Sequence, residues 1–136
     1  MKVRNLVFDS SIWIDALNGV ETQEVKLLKH CIENNDPVVI FPIIARELLQ
    51  GIRQDDLYHK VLKNLKGFPI VTCDIWELEI GAADLFRSLR KKGITIRKPN
   101  DCVIAFIAIY HNLILVHNDS DFNLIASGSK LEVHKS

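Results

Sequence analysis

The chain reads as an α/β three-layer domain, a central parallel sheet flanked by helices, on three observations. Its apolar runs are short and continuous, as in Leu6-Val7-Phe8 and Val38-Val39-Ile40-Phe41. Strands of that kind are buried on both faces, which is the mark of a parallel sheet covered by helices. These runs alternate with helix-length amphipathic segments, and strand–helix alternation implies right-handed crossovers. The length of 136 residues suits one core and is too short for two, so residues 1–136 read as a single domain.

Taken in order, Val3 to Phe8 reads as the first strand, and residues 10–18 and 22–34 as helices. Val25, Leu27, Leu28 and Ile32 give the second of these its apolar face. Val38 to Phe41 is the next strand, and Pro42 fits the first turn of the helix that runs to about Gly51. Another helix covers roughly 54–65, and Phe68 to Thr72 is a strand candidate of weaker pattern. Asp74 can cap a long helix over 75–92 that Gly93 ends. Pro99 and Asn100 open a helix over 101–111. Leu113 to Val116 is a strand, Asp121 to Ala126 a short helix and Leu131 to Val133 a last strand.

Composition narrows the function classes. Apolar residues make up 48% and charged residues 25%, the balance of a soluble globular chain. Formal net charge is zero, so a nucleic-acid surface has to be a local basic patch. Cys31, Cys73 and Cys102 are scattered and form no CxxC pair, which fits buried free thiols in a reducing cytoplasm. The first apolar stretch is broken by Asp9, too soon for a signal peptide. Cys102 to Val116 is interrupted by His111-Asn112 and falls short of the roughly 20 residues of a membrane helix. No GxGxxG, P-loop, HExxH or GxSxG pattern occurs, which argues against dinucleotide, NTP, zinc-protease and serine-hydrolase sites.

The informative residues are acids. Ligands of open parallel sheets bind beyond the carboxyl ends of the strands. Asp9 directly follows the first strand, and Asp119 and Asp121 follow Leu113 to Val116. Glu47 lies one turn into the helix after the second strand, and Asp101 opens an otherwise almost wholly apolar helix. Each has an ordinary alternative. Asp9 can be a helix N-cap, Glu47 a solvated helix-face acid, Asp101 a first-turn acid favoured by the helix dipole, and Asp119 and Asp121 turn and cap residues. Capping, however, does not require every acid to fall at one edge of one sheet. Clustered carboxylates oppose folding without a cation, and an oxygen-only cluster suits Mg²⁺ or Mn²⁺.

Four stretches in order carry a resemblance over nearly the whole chain. They are Leu6-Val7-Phe8-Asp9-Ser10-Ser11-Ile12-Trp13-Ile14-Asp15, Pro42 to Gly51 with Glu47-Leu48-Leu49, Asp101-Cys102-Val103-Ile104-Ala105, and His117-Asn118-Asp119-Ser120-Asp121-Phe122. Together they resemble the PIN-domain family, most closely its VapC-type toxins. The resemblance implies a PIN-like fold, Mg²⁺- or Mn²⁺-dependent cleavage of RNA, a cognate antitoxin and a homodimer. By position it makes Asp9, Glu47, Asp101 and Asp119 the catalytic acids, with Asp9, Asp101 and Asp119 on the metal. Asp121 becomes a helper or helix cap, and Ser11 a hydroxyl beside the first acid, or simply a capping residue.

Arg87, Arg90, Lys91, Lys92, Arg97 and Lys98 form a basic run with no intervening acid. It reads either as a solvated helix end or as a contact for an RNA backbone beside the metal. His117 reads as a strand-end histidine without a catalytic role, and Trp13 and Trp76 as packing or dimer-contact residues. Two other functions compete. A phosphoacceptor receiver domain also places acids at strand ends, but it needs an early acidic pair and a late lysine, whereas here one acid, Asp9, follows the first strand and the closing strand carries no lysine. A non-catalytic PIN-like binding module is opposed by the retention of all the acids.

Overall fold

The computed structural model describes residues 5–135. Its sheet has the order β2-β1-β3-β4, with every pairing parallel. Strand β1 is Leu6–Phe8, β2 is Val38–Val39, β3 is Ile114–Val116 and β4 is Glu132–Val133. The two central strands register Leu6 with Ile114 and Phe8 with Val116. Asp9 N–H continues this ladder to the Val116 carbonyl at 2.9 Å. The chain leaves β1 toward β2 on one side and leaves β3 toward β4 on the other. The carboxyl ends of β1 and β3 therefore diverge, and a crevice opens between them.

Helices α1 (Ser10–Leu17) and α2 (Gln23–Glu33) connect β1 to β2. Helices α3 (Pro42–Gln50), α4 (Asp55–Leu65), α5 (Ile75–Lys91) and α6 (Asn100–Tyr110) lie between β2 and β3, and α7 (Ser120–Ser127) precedes β4. Their ends follow local chemistry. Thr22 accepts the Val25 N–H to start α2, and Asp74 accepts the N–H groups of Trp76 and Glu77 to start α5. Gly93, at φ +82°, ends α5 in a conformation that costs glycine little.

Helix α6 holds the core together. Cys102, Ile104, Ala105, Ile107 and Ala108 are all buried in one cluster with Phe8, Leu115 and Val116 of the central strands. Burying apolar surface at about 25 cal/mol per Å² makes this helix the main anchor of the sheet. Its first turn, with Asp101, is thereby fixed at the sheet's carboxyl edge.

Strands β2, β3 and β4 are shorter than expected, with β3 starting at Ile114 rather than Leu113 and β4 at Glu132 rather than Leu131. The described part of the first is Leu6–Phe8, and the expected Val3 and Arg4 lie outside the described residues. The second ends its ladder at Val39, and Ile40 makes only an isolated parallel bridge to Ile70. Phe68 to Thr72 therefore forms no full strand, although Ile40 N–H reaches the Pro69 carbonyl and Val71 N–H reaches the Ile40 carbonyl. Pro69 has no N–H to extend the pairing. Among the described residues, no helix is long and apolar enough to cross a membrane.

Candidate metal centre at the carboxyl edge of the sheet

Each acid is aimed by the element before it. Trp13 is buried and donates its indole N–H to the Phe8 carbonyl at 3.1 Å, tying α1 to the end of β1. Asp9, 7% exposed, sits at this junction. It occupies the N-cap position of α1 but makes no side-chain capping bond, so the capping alternative does not describe it. Its Oδ2 accepts instead from Ser11 Oγ at 2.7 Å. Glu47 projects from α3 and accepts from Ser10 Oγ at 3.2 Å. Burial raises the Glu47 pKa, and the Ser10 hydrogen bond works against that rise.

The other side is built differently. Asp119 Oδ1 accepts the Asp121 N–H at 2.9 Å and so caps α7. The cap role considered for Asp121 thus falls to Asp119. Asp119 Oδ2 accepts from Lys98 Nζ at 2.7 Å, and that hydrogen bond, first among the causes, lowers the Asp119 pKa. Asp121 is buried behind it and takes both contacts of Arg97 Nη2, at 3.0 and 3.2 Å. His117 Nδ1 accepts the Asp119 N–H at 3.0 Å, which leaves the ring proton on Nε2. Burial holds the His117 pKa below its usual value.

Asp101 lies between the two sides. It is 6% exposed, and its Oδ2 has no hydrogen-bond partner among the described residues. Burial, reinforced by Asp9, Asp119 and Asp121 and opposed by Lys98, raises its pKa to about 6. A buried, unpartnered carboxylate oxygen costs free energy unless something positive meets it.

Asp9, Glu47, Asp101 and Asp119, with Ser11 and Lys98, line one cleft of about 780 Å³. One carboxylate oxygen each from Asp101, Asp119 and Asp121 fall within 4.8 Å of one another, close enough for a single cation. That trio differs from the expected Asp9, Asp101 and Asp119, because α7 turns Asp121 inward at the second helical position. Asp9 stays within electrostatic reach of both Asp101 and Glu47. The donor set, all carboxylate oxygen with one oxygen orphaned, fits a hard divalent ion.

The basic run is divided by Gly93. Arg97 and Lys98 enter the cleft, where they already pair with Asp121 and Asp119. Arg87, Lys91 and Lys92 instead line a separate shallow surface at the end of α5, where Lys92 donates to the Gly128 carbonyl. Arg90 stacks over Phe86. A continuous phosphate track from Arg87 to Lys98 is therefore not what the fold presents.

Sequence reasoning did not single out Ser10 and Asn118, which line the cleft, or Asp15, which touches Asn118 from outside its lining. Asn118 Nδ2 donates to Asp15 Oδ2 at 3.2 Å, and Ser11 Oγ lies 3.1 Å from Asn118 Oδ1. A signal was available, since Asp15 stands four residues after Ser11 on one helix face.

The family model for the PIN domain matches residues 6–128. The VapC ribonuclease Mb1587 of Mycobacterium bovis (strain ATCC BAA-935 / AF2122/97) is 31% identical over 130 residues, covering 93% of this chain and 96% of the relative. The ribonuclease VapC11 of Mycobacterium tuberculosis (strain ATCC 25618 / H37Rv) matches to the same extent. Among solved structures, VapBC2 from Rickettsia felis bound to a promoter DNA fragment aligns with a TM-score of 0.74 at 22% identity, covering 95% of this chain and 96% of that one. DNA-bound VapBC from Salmonella typhimurium aligns with a TM-score of 0.74 at 19% identity over 97% and 98% of the two chains. At these identities the likeness shows a shared fold. The chain belongs to the PIN-domain family, in its VapC ribonuclease branch.

Proposed function

We propose that this single-domain chain is a Mg²⁺- or Mn²⁺-dependent endoribonuclease and the toxin of a toxin–antitoxin pair. The observation that carries the metal reading is the buried Asp101 Oδ2, without a hydrogen-bond partner among the described residues, amid acids from three other segments. Membership in the ribonuclease branch supports RNA as substrate, since carboxylate–metal chemistry attacks either kind of phosphodiester. The toxin–antitoxin titles of the structural neighbours support a cognate antitoxin.

A divalent ion would supply charge neutralisation at the attacked phosphate and a more acidic water. Asp101 and Asp119, with Asp121 beside them, are the residues that would hold it, and Asp9 of the same cleft would join them. Glu47, whose raised pKa brings it nearer neutrality, is suited to take or return a proton. Ser11 orients Asp9, and Lys98 is the cation best placed to move from Asp119 to a phosphate oxygen. Exposed Trp76 and Ile80, one turn apart on α5, and neighbouring Tyr110 offer a second copy an apolar face, which supports a homodimer. Free Cys31, Cys73 and Cys102 fit a reducing cytoplasm.

The test is cleavage of total cellular RNA with sequencing of new 5′ ends, using the protein, Asp101→Asn and a chelator control. Discrete cuts that need both Asp101 and metal are expected. Cuts that survive in Asp101→Asn or in chelator would defeat the reading.

A further inference from the structure

We propose that Asp15 and Asn118 are positioning residues that fix the direction in which the Ser11 hydroxyl is used at the metal site, an inference that rests on the metal reading above. An ionised carboxylate only accepts hydrogen bonds. Asp15 Oδ2 can therefore face only the Nδ2 end of the Asn118 amide, and the observed 3.2 Å contact has that sense. The Asn118 amide is thereby held with Oδ1 toward Ser11, at 3.1 Å. That end, too, can only accept. Ser11 has one hydrogen and two acceptors, Asn118 Oδ1 at 3.1 Å and Asp9 Oδ2 at 2.7 Å.

Without a cation, the shorter, charge-assisted bond to Asp9 takes the hydrogen. Once Asp9 Oδ2 is drawn toward a cation, it becomes the poorer acceptor. Asn118 Oδ1 then receives the hydrogen, and the Ser11 oxygen keeps its lone pairs toward the cleft. Without Asp15, the amide is free to turn its Nδ2 end toward Ser11. That end would compete for the Ser11 lone pairs and hold the hydroxyl hydrogen on Asp9. Asp15 and Asn118 thus favour cation binding through Ser11 alone.

The linkage predicts a thermodynamic cycle. Direct Mn²⁺ titration would be run on the parent protein, Asp15→Ala, Asn118→Ala and Ser11→Ala, and on each of the first two combined with Ser11→Ala. Asp15→Ala and Asn118→Ala should each weaken Mn²⁺ binding about tenfold, the usual scale for residues that orient a ligand. In the Ser11→Ala background, neither should weaken it further. Asp15→Asn keeps an acceptor for Asn118 and should lose less than Asp15→Ala, and Ser11→Thr should retain the coupling. Losses that add fully in the Ser11→Ala background, or equal losses in Asp15→Asn and Asp15→Ala, would overturn the inference while the metal reading stands. A parent protein that binds no Mn²⁺ would defeat the metal reading and this inference with it.

Discussion

The two walls of the cleft keep their carboxylates by opposite means. On one wall, Asp9 and Glu47 receive neutral hydroxyls from Ser11 and Ser10. On the other, Asp119 and Asp121 receive the charged groups of Lys98 and Arg97. Asp101 stands between them with one oxygen that meets neither. A hydroxyl satisfies a carboxylate without cancelling its charge, whereas a lysine cancels it and competes with any incoming ion. The first wall is thus prepared to receive a cation, and the second is holding a place for one. Lining a site with acids is costly for the fold, and this chain meets part of that cost with two cations that a metal and a phosphate could later displace.

The comparison breaks most severely at Asp9. Asp9→Asn keeps the shape and removes the charge. RNA cleavage is expected to fall about 100-fold or more, beyond the usual loss for an outer-shell partner, as measured by initial rates. Lys98→Ala should move cation binding the other way. With the competitor gone from Asp119, Mn²⁺ affinity should rise several-fold by calorimetric titration, while the metal-free protein loses at most about 1 kcal/mol, the scale of an exposed ion pair. A fall in affinity would mean that Lys98 assembles the site instead of guarding it.

Acidity sharpens the contrast further. In the unfolded chain, Asp101 titrates near 3.9, and in the fold its pKa is about 6. At pH 3 both states are protonated and Asp101 contributes nothing. Between these values the unfolded state has released a proton that the native state keeps, so stability falls as pH rises, with the full cost present above about 6. His117, held below its usual pKa by burial, has the opposite slope, since it costs stability as pH falls through 6.5. The two are separated by Asp101→Asn, whose stability advantage over the parent in chelator should grow from pH 4 to pH 7. Mn²⁺ affinity of the parent should drop about tenfold per unit below pH 6, as one proton is displaced on binding. The smallest effect is expected from Ser10→Ala, which removes only the 3.2 Å bond to Glu47. Cleavage should change by about two- to fivefold, on the scale of one neutral hydrogen bond, with the pH optimum shifted upward as the Glu47 pKa rises.

Much of the fold was legible because its signals are local. Continuous apolar runs mark β1 and β3, Asp74 and Gly93 bracket α5, and almost unbroken apolarity marks α6. The acids could be placed at one edge because each follows a strand or opens a helix. What was not legible depends on side-chain direction. No spacing reveals that Asp119 caps α7 while Asp121 turns inward to Arg97. The basic run looked continuous because a sequence does not show that Gly93, at positive φ, sends Arg97 and Lys98 to a different face from Lys91. Asn118 escaped notice because its partners, Ser11 and Asp15, lie more than 100 residues away along the chain.

The most direct test compares thermal unfolding of the parent and Asp101→Asn with and without Mn²⁺. Metal that binds the folded state raises its stability by mass action. The parent should show a clear rise in unfolding temperature with Mn²⁺, and Asp101→Asn should begin at or above the metal-free parent and gain little. An equal Mn²⁺ response in both proteins would place the metal away from this cleft and contradict the central role of Asp101.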